Sequence, residues 1–165
     1  MAEPENGRIP LNSSHSAGIT IRAWREEDFP AIQEISSGEG WLTPKVRPSE
    51  AFLAWERSYP ALVAVHEGEV IGFLRALTDG EVTTYVAELA VVPRFRRQGI
   101  GRALIEACHR LCPHTRLDVL LIGSADAFYE ATGFHPCRGY RKSPDQGPRA
   151  DGACPSDQCQ PVGQP

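Results

Sequence analysis

The stretch from Glu88 to Arg110 constrains the fold of this chain more than any other. It opens with an apolar run that is typical of a strand, and Pro93 ends that run because proline has no N–H group for the sheet ladder. Beyond it, apolar residues recur at the helical positions i, i+3, i+4 and i+7, namely Leu104, Ala107, Cys108 and Leu111. The sequence therefore predicts a strand, a tight turn and an amphipathic helix in direct succession.

The turn between this strand and this helix has the composition of an anion-binding site. Gly99 and Gly101 lie at the predicted helix start, where the first N–H groups lack an intrahelical acceptor and the helix dipole is positive. Four basic residues surround the same point: Arg94, Arg96, Arg97 and Arg102. A helix N-terminus with a solvated basic flank explains these residues equally well. The sequence has no GxxxxGK[ST] motif, and the turn lacks the third glycine of a dinucleotide fingerprint.

Two separate segments resemble the GCN5-related N-acetyltransferase (GNAT) family. Residues 96–101, RRQGIG, are similar to the family's R-x-x-G-x-G acyl-CoA-binding motif, and residues 127–134, AFYEATGF, are similar to its later helix and turn. The resemblance covers Ile19 to about Lys142. It implies an enzyme that transfers an acetyl or other acyl group from acetyl-CoA directly to a primary amine of a small molecule or a protein.

The resemblance also implies which residues would bind acetyl-CoA. Backbone N–H groups from Gln98 to Ala103 would hold the pyrophosphate, and N–H groups of the preceding strand would stabilise the oxyanion. We expect a bulky residue in place of either glycine of the turn to obstruct the phosphates. The cofactor-binding residues predicted in this way are Leu89, Ala90, Val91, Arg96, Arg97, Gln98, Gly99, Ile100, Gly101, Arg102 and Ala103.

Glu88 is the candidate catalytic base. An aliphatic amine has a pKa of about 10.4, so it arrives protonated at neutral pH and must lose a proton before it attacks. Strand alternation puts Glu88 on the face of Val86 and Ala90, so we expect apolar neighbours and a raised pKa for its carboxyl group. The alternative, to which we give equal weight, is that Glu88 lies at an exposed strand end and has no role.

Tyr129 is the candidate general acid, because it matches a tyrosine that often protonates the leaving thiolate in the family. The alternative is that its ring packs and its hydroxyl group makes a structural hydrogen bond. Tyr85 and Tyr140 are weaker candidates. Two rivals to an enzyme remain open at this point: an acyl-CoA-binding regulator without turnover, and a phosphoanion-binding module that does not bind coenzyme A.

The remaining patterns predict a single α/β (α+β) domain in which a mixed, mostly antiparallel central sheet carries helices on both faces. We expect residues 117–122 to be buried on both faces and reached by a helical crossover. Asp28 is predicted to cap the first helix, and the helical region from Trp41 to Tyr59 is predicted to pack on the sheet or to wall a cleft. The predicted strands are residues 19–24, 61–66, 70–77, 82–92, 117–122 and 134–141.

Composition predicts a flexible leader at residues 1–18, the folded domain at 19–142 and a disordered, proline-rich tail at 143–165. The net charge of −4 argues against nucleic acid as the main partner. We expect a cytoplasmic protein without a membrane partner, since neither a signal peptide pattern nor a long apolar run is present. Five cysteines without a pair at zinc spacing predict reduced thiols and no metal. The resemblance leaves a homodimer open.

Overall fold

The computed structural model describes residues 8–9, 18–121 and 125–139 of the chain. Two short 3-10 turns, Glu26–Asp28 and Pro93–Phe95, accompany the regular elements. None of the helices in these ranges is long and apolar enough to cross a membrane. The strands are β1 (Arg8–Ile9), β2 (Ile19–Ala23), β3 (Ala61–His66), β4 (Glu69–Thr78), β5 (Thr83–Val91) and β6 (Arg116–Val119), and the helices are α1 (Phe29–Gly38), α2 (Thr43–Val46), α3 (Pro48–Glu56), α4 (Ile100–Leu111) and α5 (Asp126–Ala131).

Within the described residues the strands form one six-stranded sheet in the order β1-β2-β3-β4-β5-β6. Neighbouring strands are antiparallel except β5 and β6, which are parallel because α4 carries the chain back across the sheet. The predicted mostly antiparallel sheet and the predicted helical crossover are both confirmed. β1 lies inside the predicted leader, and its pairing with β2 extends the sheet beyond the predicted start of the domain.

One carboxylate accepts three backbone hydrogen bonds in the hairpin between β4 and β5. Asp79 Oδ1 accepts hydrogen bonds from the backbone N–H groups of Glu81, Val82 and Thr83 at 2.9, 2.8 and 3.0 Å. These three bonds, of which that from Thr83 contributes most, hold the pKa of Asp79 below its ordinary value because they favour the ionised form. Three N–H groups of this turn therefore share one charged acceptor.

Helices cover both faces of the sheet, as predicted. On one face α4 buries Leu104 against residues of β2 to β5 such as Leu62, Leu74 and Val86. The opposite face carries α1 and α3, and here the side chain of Trp55 is almost completely buried, with its ring centroid 5.3 Å from that of Phe73. Truncating such a buried aromatic residue costs about 3–5 kcal/mol, so this second cluster anchors α3 firmly.

A bulge in β5 reverses the side-chain alternation that the sequence suggests. Arg75 pairs with Glu88 while Ala76 pairs with Val86, which leaves Ala87 as an extra residue. Val86 consequently belongs to the cluster under α4, whereas Ala90 belongs to the cluster under α1 and α3. The prediction that Glu88 shares a face with both Val86 and Ala90 is therefore wrong with respect to Val86.

Asp28 occupies the N-cap position of α1 as predicted, but its side chain bonds no N–H group of that helix. Its carboxylate instead accepts hydrogen bonds from both terminal nitrogens of Arg22, at 2.6 and 2.8 Å, and from the N–H group of Arg25 at 2.8 Å. The carboxylate also raises the pKa of Arg22, mainly through these hydrogen bonds. A buried carboxylate gains more from a bidentate guanidinium partner than from a helix N–H group, so Asp28 joins β2 to the start of α1.

The sequence overestimates the length and burial of β6 and predicts a further strand at residues 134–141, of which residues 134–139 form none. β6 ends at Val119, Ile122 lies outside the described residues, and the side chains of β6 are half-buried or exposed rather than buried on both faces. Within the described residues β6 has β5 as its one neighbour, which explains the exposure of an apolar strand. Residues 134–139 form no strand, and residues 140–141 of that prediction lie outside the described residues.

Candidate active site

The parallel strands β5 and β6 pair over four residues and then part. The paired residues run from Thr83 opposite Arg116 to Val86 opposite Val119. From Ala87 to Val91, β5 has no strand on that side among the residues the structure describes. Because alternate residues of a strand turn their N–H groups to the same edge, this segment offers backbone donors along an open edge. The predicted oxyanion donors at residues 89–91 fall within it.

A series of unsatisfied backbone donors follows at the start of α4. In the described part of the chain, the N–H groups from Arg97 to Arg102 have no acceptor, and the first helical bond runs from Ala103 to the Gly99 carbonyl at 2.9 Å. Gly99 has a φ of 80°, and a Cβ built there would meet nothing within 4 Å. Successive open donors at a helix start form a site for an anion such as a pyrophosphate. The location matches the predicted phosphate-binding residues.

Three of the four arginines around this turn already bond to protein acceptors. Arg96 donates from Nε to the Val91 carbonyl at 2.8 Å and forms an ion pair with Glu39. Arg94 bonds Glu69 at 2.8 Å, and Arg102 donates to the Ala131 carbonyl at 2.6 Å. The fourth, Arg97, is exposed and forms no ion pair with any described residue. The patch therefore holds less uncommitted charge than the sequence suggests.

Gly101 lies against a side chain that the sequence could not place next to it. A Cβ at this position would lie 3.1 Å from Cζ and 3.3 Å from Cε2 of Phe128, so the ring of α5 packs directly on the backbone of α4. The prediction that a bulky residue at either glycine obstructs the phosphates stays a prediction. At Gly101 such a residue would also meet the ring of Phe128.

Glu88 is held by an arginine that sequence analysis missed. Arg75, directly opposite on β4, donates from Nε to Oε2 and from Nη2 to Oε1, both at 3.0 Å. Nη1 of Arg75 also donates to the Ser58 hydroxyl at 3.0 Å, and Ser58 follows α3. The prediction of apolar surroundings for Glu88 is thus wrong, because its cross-strand partner is charged. The one signal in the sequence was an arginine in the middle of an apolar strand.

Tyr129 lies on the other side of the sheet from Glu88. Its ring packs edge-on between those of Phe128 and Phe134, at centroid distances of 5.1 and 5.4 Å, and joins the cluster under α4. Burial raises the pKa of the Tyr129 phenol, so the hydroxyl group stays protonated well beyond neutral pH. Glu88 contacts the α3 side through Ser58. A carboxylate and a protonated phenol therefore lie on opposite faces of the sheet.

Cys108 of α4 and Cys112, which follows the helix, belong to the core. Both are buried free thiols, which agrees with the apolar helix position predicted for Cys108. Burial, with a smaller contribution from Cys112, raises the pKa of Cys108 to about 12, so this thiol is not ionised at neutral pH and is a poor nucleophile. Among the described residues no three His, Cys, Asp or Glu side chains are grouped to hold a metal ion.

Comparison with known proteins points to the same family as the two motifs. Residues 57–136 match the model of the acetyltransferase (GNAT) domain. The peptidyl-lysine N-acetyltransferase YiaC of Escherichia coli K12 is 28% identical over 70% of this chain and 82% of its own length. The L-2,4-diaminobutyric acid acetyltransferase of Nocardia farcinica is 32% identical over 68% of this chain and 60% of its own.

Solved structures agree with the observed fold. A GNAT family acetyltransferase of Streptococcus pneumoniae TIGR4 superposes with a TM-score of 0.66 at 21% identity, covering 78% of this chain and 99% of that protein. At this level of identity the likeness concerns the fold. The expected GNAT-like architecture, a mixed and mostly antiparallel sheet with helices, is thereby confirmed.

Proposed function

We propose that this chain transfers an acetyl group from acetyl-CoA to a primary amine. One observation carries the proposal: β5 has an edge without a partner strand from Ala87 to Val91, it carries Glu88 on one face of the sheet while Tyr129 packs on the opposite face, and it leads into the unsatisfied N–H groups that begin at Arg97. A thioester seated along that edge would meet an amine from one side and release a thiol on the other.

The residues present fit an acyl-CoA molecule. The open N–H groups from Arg97 to Arg102 suit a pyrophosphate, and the exposed Arg97 adds a positive charge next to them. The free N–H groups of β5 suit the polar groups of an extended chain, in the manner of an added strand. Acetyl-CoA, when bound, supplies an acyl group activated as a thioester, and the protein supplies orientation and proton transfer.

The chemistry then needs three proton transfers. Glu88 accepts a proton from the incoming ammonium group, directly or through water, and passes it to solvent. The neutral amine forms a C–N bond with the thioester carbon, and its nitrogen then loses a second proton to Glu88 or water as the amide forms. Backbone N–H groups at Leu89 to Val91 stabilise the oxyanion that develops. As the C–S bond breaks, the hydroxyl group of Tyr129 donates a proton to the departing thiolate and recovers one from solvent. No covalent acyl-enzyme is required.

The acceptor class follows from the chemistry of the site and from the relatives. The two relatives named above act, by their names, on a lysine side chain of a peptide and on diaminobutyric acid, and both substrates carry primary amines. Small-molecule and protein amines both fit the proposal. A cytoplasmic location forms part of it, since Cys108 and Cys112 are unpaired thiols of the kind that reducing compartments maintain.

Ligand binding and turnover test the proposal separately. Acetyl-CoA at 100 times its dissociation constant should stabilise the native state by about 2.7 kcal/mol, or about 5–10 °C in melting temperature for a chain of this size. ATP at the same concentration is the matched control for general phosphate binding. An equal shift with ATP, or no shift with acetyl-CoA, would contradict the proposed cofactor. Thiol release across a panel of primary amines then measures turnover. If the protein binds acetyl-CoA but releases no thiol, the remaining interpretation is an acyl-CoA-binding regulator.

A further inference from the structure

The ion pair between Arg75 and Glu88 differs from most other ion pairs of the protein. Both carboxylate oxygens accept one hydrogen bond each from a single guanidinium group, at 3.0 Å, and the two side chains are 15% and 27% exposed. The pair Arg25–Glu27, by contrast, has one contact of 3.3 Å between side chains that are 52% and 70% exposed. A two-point contact fixes the plane of a carboxylate, whereas a one-point contact lets it rotate.

The backbone around Glu88 is shaped to present it to Arg75. The extra residue Ala87 turns Glu88 towards the face covered by α1 and α3, away from the face of Val86. The guanidinium group is fixed in turn, because its third nitrogen donates to Ser58 Oγ at 3.0 Å and that hydroxyl group donates to the Ala54 carbonyl at 2.6 Å. Each group that sets the orientation of Glu88 is therefore itself held.

We infer that Arg75 is a positioning residue that holds the Glu88 carboxylate beside the open edge of β5, ready for the incoming amine. This inference rests on the proposed function. Arg75 uses one acceptor position on each oxygen of Glu88, which leaves the remaining lone pairs of both oxygens for an ammonium group or a bridging water. Arg75 touches neither the thioester nor the amine in this scheme, so it acts through Glu88 alone.

The guanidinium shape matters as well as its charge. Lysine at position 75 would keep a positive charge but would present a single ammonium group, which cannot make the parallel two-point contact. Methionine would keep much of the side-chain volume and remove both the charge and the hydrogen bonds. A graded series from arginine through lysine to methionine therefore separates orientation from simple charge neutralisation.

The test compares kcat and KM for Arg75→Lys, Arg75→Met, Glu88→Gln and the double variant, with Arg25→Met as the matched control. We expect Arg75→Met to lower kcat roughly 10- to 100-fold, because misplacing a reacting group by about 1 Å costs on this order, while KM for acetyl-CoA changes less than about twofold. Arg75→Lys should recover part of that loss. In the Glu88→Gln background, Arg75→Met should have no further effect on kcat, and Arg25→Met should behave like the wild type.

Several outcomes would overturn the inference. If Arg75→Met lowers kcat by the same factor with and without Glu88, the two residues act independently. If KM for acetyl-CoA rises as much as kcat falls, or if folded Arg75→Met retains the wild-type kcat, Arg75 has a structural role only. Melting temperatures identify any variant that fails to fold. If Arg75→Met fails to fold, the kcat of Arg75→Lys is compared with that of the wild type instead. Wild-type protein that releases no thiol with any amine would refute the proposed function itself, and the inference with it.

Discussion

Burial keeps the phenol of Tyr129 protonated over the whole pH range in which an enzyme of this kind would work. A tyrosine with an ordinary pKa of about 10 is already a reluctant acid, and burial makes the tyrosinate still less favourable. In return, the hydroxyl group is available as a hydrogen-bond donor in every molecule at neutral pH. Its value to the reaction would be the stabilisation of a thiolate at the moment the C–S bond breaks.

We therefore expect Tyr129→Phe to lower kcat by about 100-fold or more, within the usual range for loss of a general acid. KM for acetyl-CoA and the melting temperature should change little, because phenylalanine keeps the ring contacts with Phe128 and Phe134. Continuous detection of released thiol measures the effect. Tyr85→Phe serves as the control, since it removes the hydroxyl group of a different tyrosine, which lies on β5. Equal losses in both variants would argue against a special role for Tyr129.

The two glycines of the turn should respond differently to the same change. Gly99→Ala forces a left-handed φ of 80° on a residue with a side chain and should lower the free energy of unfolding by roughly 1–2 kcal/mol, although its Cβ would meet no atom. Gly101→Ala should instead displace the ring of Phe128. Urea denaturation measures both costs, and near-UV circular dichroism follows the aromatic rings of α5. A Gly99→Ala variant as stable as wild type would mean that the turn relaxes out of this conformation.

At the residue scale, the sequence predicted the residues that follow a local pattern and missed those that depend on a distant partner. Gly99 and Tyr129 were identifiable because each belongs to a short motif. Arg75 was not, since its importance arises from lying opposite Glu88 on another strand. Likewise, nothing near Arg96 in the chain indicates that its guanidinium group is engaged by Glu39, which lies at the end of α1.

Among the elements, β5 combines what periodicity can predict with what it cannot. Its existence and direction followed from apolar residues and a hairpin turn. The bulge at Ala87 did not, because the register of a strand is decided by its partner as well as by its own alternation. Gly72 on β4 contributes to this register: a Cβ there would lie 2.9 Å from the Ala90 carbonyl oxygen, so glycine permits the close approach of the two strands. The burial of β6 was overestimated for a similar reason, since composition does not reveal how many neighbouring strands a strand has.

The β4–β5 hairpin should make stability depend on pH in the acidic range. The pKa of Asp79 is lower in the folded state than in the unfolded state. The carboxylate therefore stabilises the native state at pH values above its unfolded-state pKa of about 3.9. This contribution is lost as pH falls through the lower pKa of the folded state. Asp79→Asn keeps a side-chain carbonyl acceptor and removes the charge. We expect it to lower the free energy of unfolding at neutral pH and to weaken the loss of stability on acidification, as urea titrations at a series of pH values would measure.

The neighbouring Glu81→Gln is a suitable control for this experiment. Glu81 is exposed and lies in the same turn, and its side chain makes no hydrogen bond with any described residue. Its removal should leave the pH dependence of stability like that of the wild type. If Asp79→Asn also follows the wild-type curve, then the three N–H bonds to Asp79 do not require its charge.

For the molecule as a whole, the predicted domain limits of 19–142 can be tested by truncation. We expect a chain that ends at Lys142 to melt within about 2 °C of the full chain and to keep the acetyl-CoA shift, because composition gives the tail few residues that could pack. A chain that begins at Gly18 loses β1 and its pairing with Ile21 and Arg22, so it should be measurably less stable. A large loss on removing residues 143–165 would show that the tail belongs to the domain.

The segment of β5 from Ala87 to Val91 has a further consequence for handling the protein. Exposed strand edges invite other polypeptides to add on by main-chain pairing, and natural sheets usually guard against it. In the described part of the chain no strand pairs with this edge, and the proposed thioester arm would occupy it. Preparations stripped of acyl-CoA should therefore self-associate sooner on standing than ligand-saturated ones, a difference that light scattering at matched concentration would reveal.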